Sequence, residues 1–91
     1  MRIRHKPWAK PELEACPFYV HEPQQQIGHW RELFEHPERP LYVELGCGKG
    51  GFISQAAPAH RDVNFVAMDI KNEMLVLAKR KLEAAYAELD E

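Results

Sequence analysis

The 91-residue sequence lacks the apolar stretch that a membrane span requires, since its longest unbroken apolar run is Met74-Leu75-Val76-Leu77-Ala78 and a span needs about 20 residues. The first residues lead into no apolar segment, so we expect no secretory signal. Cysteine is scarce as well: Cys16 and Cys47 lie 31 positions apart, which supports neither a disulfide scaffold nor a CxxC metal or redox site. We therefore expect a cytoplasmic protein with no metal and no membrane partner.

The sequence also lacks a strong excess of charge, because 12 basic residues face 14 acidic ones and the net charge is -2. Binding of nucleic acid through bulk charge is therefore not expected. The first ten residues nevertheless contain four basic residues and no acidic one: Arg2, Arg4, Lys6 and Lys10. With Trp8 among them, this composition suits phosphate contact and base stacking, although a solvated basic tail has the same composition.

Proline divides the N-terminal part of the chain. Residues 1–23 contain four prolines, which remove backbone donors and disfavour helix, so we predict an irregular segment. Residues 24–35 follow with apolar side chains spaced at three and four, which predicts one short helix. The apolar stripe consists of Ile27, Trp30, Leu33 and Phe34. We group residues 1–40 as an N-terminal basic segment with a short helix.

From residue 41 onward the pattern alternates between strand and helix. It predicts a strand over 41–45, a helix over 50–57 ended by Pro58, a strand over 63–68 and a helix over 71–89. Such alternation indicates an α/β fold with a parallel sheet, and parallel sheets bury both faces. Two strands do not complete such a sheet. We therefore expect residues 41–91 to be the first β-α-β-α part of a larger domain, completed by a C-terminal half or by another chain.

A run of glycines, Gly46, Gly48, Gly50 and Gly51, lies between the first predicted strand and the helix that follows. Glycine at such a turn adopts backbone angles that other residues avoid and lets a ligand approach the main chain. The phosphate-binding loop G-x-x-x-x-G-K-[ST] is excluded because Phe52 follows Gly51. Two spacings remain. The first, second and fourth glycines spell the dinucleotide pattern G-x-G-x-x-G, and the first three spell G-x-G-x-G, which fits S-adenosylmethionine.

Two acidic residues distinguish these ligands by charge. Glu44 lies two residues before the first glycine, where its carboxylate would repel a pyrophosphate by about 1 kcal/mol or more and attract an ammonium or a sulfonium. Asp69 ends the second strand, where an acid is expected to accept both hydroxyls of an adenosine ribose, and Ile70 would line the adenine. The residues therefore favour an S-adenosylmethionine site. We assign to it Glu44, Gly46, Gly48, Gly50, Asp69 and Ile70.

The chain resembles the bacterial tRNA (guanine-N7-)-methyltransferase family in its opening Arg-Ile-Arg-His-Lys-Pro-Trp-Ala at residues 2–9, in residues 44–50 and in residues 65–70. The resemblance reaches the end of the chain but covers less than half of a typical member. It implies a Rossmann-like methyltransferase fold, of which this chain would hold the first two parallel strands and their helices. It also implies that the basic N-terminus contacts tRNA or covers the cofactor. The residues concerned are Arg2, Arg4, Lys6 and Trp8.

The activity implied by this resemblance is transfer of a methyl group from S-adenosylmethionine to N7 of a guanine in the tRNA variable loop. Because N7 carries a free lone pair, no general base is needed and alignment is the main task. We assign no catalytic residue, since the family's catalytic segments would lie beyond Glu91, and we expect the 91-residue piece to be inactive alone. Two alternatives remain from the residues: a fragment of an NAD-dependent oxidoreductase, and a non-catalytic binding or assembly module.

Overall fold

The computed structural model describes residues 5–89 and consists of helices packed against a two-stranded parallel sheet. In chain order, its elements are helix α1 (Ala9–Glu14), two 3-10 helices (Pro23–Gln26 and Trp30–Leu33), strand β1 (Leu41–Leu45), helix α2 (Ile53–Ala59), strand β2 (Asn64–Met68) and helix α3 (Asn72–Leu89). The predicted β-α-β-α order is confirmed. Helix α2 runs slightly later than predicted, and Pro58 lies within its last turn rather than ending it.

Strands β1 and β2 pair in parallel, with Leu41 opposite Asn64 and Leu45 opposite Met68. Their carboxyl ends therefore meet at one edge of the sheet. The pairing continues past β1, because the backbone amides of Gly46 and Cys47 both donate to the carbonyl oxygen of Met68, at 2.8 and 2.9 Å. The glycine turn is thus anchored to the end of the neighbouring strand.

The other two α-helices, α1 and α2, both pack on helix α3. Ala9 and Leu13 of α1 are buried against Val76 of α3, whose side chain is fully buried. Burial of such side chains is worth roughly 1.5–3 kcal/mol each for Val or Leu. The N-terminal residues are therefore held on the same helix that follows β2.

The prediction that residues 1–23 are irregular is wrong over α1. Pro11 occupies the third position of that helix, within the first turn, where backbone amides have no partner inside the helix. Proline there removes no helical hydrogen bond. The apolar contacts of Ala9 and Leu13 with α3 then stabilise a helix that proline content alone argued against.

The single helix predicted over residues 24–35 is also wrong. Two 3-10 helices lie there instead, and between them Gly28 adopts φ = +81°, which interrupts any continuous helix. Spacing of three is shared by 3-10 and α-helices, so the pattern did not separate them. Ile27 is 76% exposed, and the predicted stripe does not form one buried face.

The sheet leaves much apolar surface uncovered. Tyr42, Val43 and Leu45 of β1 are all exposed, although strands of a parallel sheet normally bury both faces. An open groove of about 1800 Å³ runs between residues 16–34 and the β2 and α3 side of the molecule. This volume exceeds the roughly 300–1,000 Å³ of usual ligand sites. Most of the groove is therefore uncovered apolar surface, and three of the residues assigned to the cofactor site line part of it: Gly46, Asp69 and Ile70.

Candidate functional site

The turn after β1 needs glycine at three positions. Gly46, Gly48 and Gly50 have φ of +71°, +56° and +82°, in the left-handed region that residues with a side chain adopt only at a cost. Gly51 has no such φ, and a Cβ built on it would meet no atom within 4 Å. The structure thus requires the glycines of the G-x-G-x-G spacing and does not require the last glycine of G-x-G-x-x-G.

Gly50 has a second reason to lack a side chain. A Cβ at this position would lie 2.8 Å from both Cα and Cβ of Ala78, in the middle of α3. The glycine turn therefore packs directly on the helix backbone. This contact fixes the turn between the end of β1 and α3, so a ligand at the turn would meet a preorganised main chain.

Asp69 joins the turn to the start of α3. Its Oδ2 accepts a hydrogen bond from the Gly48 amide at 3.0 Å, and its Oδ1 accepts one from the Lys71 amide, also at 3.0 Å. Because an ionised carboxylate offers about four lone-pair sites, these two bonds orient the group and leave acceptor capacity for ligand hydroxyls. Asp69 is where the sequence placed it, at the carboxyl end of β2.

Glu44 carries a buried acceptor with no partner. Its Oε1 atom is inaccessible to solvent and forms no hydrogen bond to any of residues 5–89. An unsatisfied buried acceptor usually costs about 1–3 kcal/mol, and more when charged. Such an atom fits a site that receives a donor, and preferably a cationic one, from a ligand.

The carboxylates of Glu44 and Asp69 both influence the electrostatics of the glycine turn. Burial raises the pKa of the Cys47 thiol to about 11, with further contributions from the negative charges of Asp69 and Glu44. Cys47 lies in the turn between the first two glycines, so both acids are close enough to the turn to influence its electrostatics. The thiol is protonated at neutral pH and is a poor nucleophile. The arrangement favours binding of a cationic ligand over covalent chemistry.

Ile70 directly follows Asp69 and is 97% exposed, which leaves its side chain available for contact with an apolar ring. Among residues 5–89, no group of three or more His, Cys, Asp or Glu side chains is arranged to hold a metal ion. None of the helices in that range has the length and hydropathy needed to cross a bilayer.

Of the residues expected to contact RNA, Arg2 and Arg4 lie outside the described part of the chain. Lys6 is half-buried and its carbonyl oxygen accepts the Ala9 amide at the start of α1. Trp8 is 41% exposed, and the guanidinium of Arg80 lies 4.4 Å from its ring centroid. The indole is therefore already in a cation–π contact within the protein.

Two acidic residues that organise this region were not identified from the sequence. Glu12 of α1 accepts hydrogen bonds from Lys79 and Arg80 of α3, and Glu73 in the first turn of α3 lies 3.0 Å from the His5 ring nitrogen Nδ1. The only signal for Glu73 in the sequence was its position in the first turn of a predicted helix, where an acidic side chain interacts favourably with the helix dipole. Partners 67 and 68 positions away cannot be read from spacing.

Comparison with known proteins gives one family and many relatives. The model of a family described as "Putative methyltransferase" matches residues 38–88. The chain is 53% identical over 88 residues to the tRNA (guanine-N(7)-)-methyltransferase of Clostridium perfringens strain SM101, and 56% identical over 88 residues to the protein of that name from Ruminiclostridium cellulolyticum. The corresponding Acetivibrio thermocellus protein is 54% identical over 87 residues.

These matches include 97%, 97% and 96% of this chain but only 40%, 37% and 39% of the respective relatives. The chain therefore spans about two fifths of the length of the curated relatives that it matches. No solved structure matches it.

Proposed function

Because this chain belongs to the methyltransferase family whose model matches residues 38–88, we propose that it is the cofactor-binding part of a tRNA (guanine-N7-)-methyltransferase that uses S-adenosylmethionine. The observation that carries the cofactor proposal is the buried, unpartnered Oε1 of Glu44 beside a glycine turn. S-adenosylmethionine would supply an electrophilic methyl group on a sulfonium. The roles that follow belong to the residues of this chain.

Glu44 would hold the α-ammonium of the cofactor, because that group brings the donors and the positive charge that Oε1 lacks. The main chain at Gly46 and Gly48 would lie against the ligand, where side chains would block its approach. Asp69, already oriented by two backbone amides, would accept the ribose hydroxyls. Ile70 would cover the adenine.

An NAD-dependent oxidoreductase is less well supported. A dinucleotide would bring its pyrophosphate to the turn, where the Oε1 atom of Glu44 already lacks a donor. The glycine peculiar to the dinucleotide spacing, Gly51, has neither a positive φ nor a close neighbour. Both observations favour S-adenosylmethionine.

The tRNA substrate is proposed from the relatives, each of which is named a tRNA (guanine-N(7)-)-methyltransferase. Guanine N7 attacks through its own lone pair and requires no deprotonation, so the protein must mainly align nucleophile, methyl and sulfur. We accordingly assign no general base in this chain. The basic residues Arg2, Arg4 and Lys6, with Trp8, are proposed to contact the RNA, and the cytoplasm is proposed as the compartment.

Activity is proposed to require the rest of the domain. The apolar side chains of β1 and the open groove form a surface that further strands and helices would bury. The relatives contain a larger segment with no counterpart in these 91 residues. We propose that such a segment, in the same polypeptide or in another, completes the sheet and supplies the remaining catalytic and RNA-binding groups.

Calorimetric titration of the chain with S-adenosylmethionine and with NAD tests the cofactor. We expect binding of the first only, and loss of at least tenfold in affinity for Glu44→Ala because a charge-assisted hydrogen bond is removed. Glu35→Ala, which makes the same change of charge at an exposed position, is the matched control and should bind normally. Binding of NAD alone would support the oxidoreductase. Because the chain spans only about two fifths of its relatives, a non-catalytic module would be supported by binding of neither ligand to the chain or to the chimera described next.

A chimera tests the substrate. The matched 88 residues of the Clostridium perfringens protein are replaced by this chain, and N7-methylguanosine in tRNA is measured by nucleoside mass spectrometry. We expect methylation by the chimera and none by the 91-residue chain alone. Absence of product from a folded chimera that binds S-adenosylmethionine would contradict the proposed substrate.

A further inference from the structure

Glu73 connects the N-terminal residues to the beginning of α3. Its own backbone amide, the Lys6 amide and the His5 ring all stabilise the carboxylate and hold its pKa below the usual range despite partial burial. The side chain of Glu73 is only 18% exposed, whereas that of His5 is 81% exposed. Glu73 is therefore a fixed acceptor, and His5 and Lys6 are attached to it.

The location of this attachment matters because α3 starts where β2 ends. Met68 ends β2, Asp69 orients the glycine turn, and Asn72 begins α3. Glu73, one residue later, lies in the first helical turn at the same edge of the sheet as the candidate cofactor site. His5 and Lys6 are thus held at the edge where the cofactor is proposed to bind.

A second set of contacts holds the far end of the same segment. Glu12 accepts hydrogen bonds from Lys79 at 3.2 Å and from the Nε of Arg80 at 2.8 Å, and Arg80 also lies over Trp8. These contacts are two turns farther along α3 than Glu73. The segment can therefore remain docked through Glu12 when its end near the cofactor site is released, so the two attachments can be tested separately.

We propose that Glu73 is a positioning residue for the RNA substrate: by fixing His5 and Lys6 at the cofactor edge, it sets the position from which Lys6 contacts the phosphates of the RNA. The proposal rests on the proposed function. Glu73 itself touches neither cofactor nor RNA. Its role is to hold Lys6 in the position from which it reaches the backbone of the tRNA.

The test is steady-state kinetics of the chimera described above, with the variants Glu73→Ala and Glu73→Gln. Glu73→Ala should raise KM for tRNA about tenfold, because a charge-assisted contact between Lys6 and phosphate is worth about that much in binding and would no longer be positioned. The kcat and the dissociation constant for S-adenosylmethionine should stay within about twofold. Glu73→Gln keeps an acceptor for the Lys6 amide and should restore part of the KM.

Glu12→Ala is the matched control, since it removes one acidic residue that anchors the same segment at its far end. It should lower the melting temperature and change KM for tRNA by no more than about twofold. An unchanged KM in Glu73→Ala, or an equal rise in Glu12→Ala, would overturn the positioning role. An equal loss of cofactor affinity would overturn it too, because Glu73 would then act on the cofactor site.

The unsubstituted chimera tests the proposed function independently of the role of Glu73. If the parent chimera binds no S-adenosylmethionine or methylates no tRNA, both proposals are overturned. If the parent is active and only the variant pattern differs from the expected one, the proposed function stands and the role of Glu73 is wrong.

Discussion

Gly50→Ala should destabilise the protein strongly, and Gly51→Ala should not. At residue 50 a methyl group would lie 2.8 Å from Cα and Cβ of Ala78, with the backbone at φ = +82°. The left-handed conformation costs a non-glycine residue about 1–2 kcal/mol, and overpacking adds typically 1–3 kcal/mol. Together these give a loss of about 2–5 kcal/mol, because the nearest atoms belong to a helix backbone that cannot move aside.

The assay is urea unfolding followed by circular dichroism, with thermal melting as a second readout. A loss of this size corresponds to a fall in melting temperature of at least ~8 °C for a domain of under 100 residues. Gly51→Ala, with no positive φ and no atom within 4 Å, should be neutral or stabilise by about 0.4–1 kcal/mol. Equal effects of the two substitutions would refute both the packing argument and the preference for the G-x-G-x-G spacing.

Three further predictions concern individual side chains. Asp69→Asn replaces one of two acceptors for backbone amides and should cost about 1–3 kcal/mol in urea unfolding. The Cys47 thiol, with its pKa raised from 9.0 to about 11, should react with iodoacetamide at pH 8 about 100-fold more slowly than in the unfolded chain, measured by peptide mass spectrometry. The pKa of Glu12 is lowered from 4.5 to about 2, chiefly by its hydrogen bond to Arg80. The stability that Glu12 contributes is therefore complete above pH 4.5 and lost as the pH falls towards 2. Glu12→Gln should make the melting temperature less dependent on pH over that range.

The sequence predicted best what depends on local pattern. The alternation of apolar and polar residues located both strands and α3, and the glycine turn with its flanking acids followed from chain order. Spacing alone did not choose between Gly50 and Gly51. That choice required the distance from residue 50 to Ala78, which only the packing of α3 on the turn reveals.

The errors occurred where a tertiary contact or a single backbone angle decided the structure. Pro11 suggested an irregular start, yet it occupies a helix position that tolerates proline and the helix is stabilised by α3. The residues around Gly28 showed helical spacing, but its positive φ divides them. The sequence did not identify Glu73 and Glu12 because their hydrogen-bond partners lie more than 60 positions away in the chain.

The dehydrated oxygen of Glu44 makes stability and ligand affinity oppose each other at one position. Folding has already stripped water from this atom, so a cationic donor that reaches it gains a hydrogen bond without a further dehydration penalty. The unliganded chain bears that penalty permanently. Replacement of Glu44 by an apolar residue of similar size would therefore give a protein that melts at a higher temperature and no longer recognises its ligand.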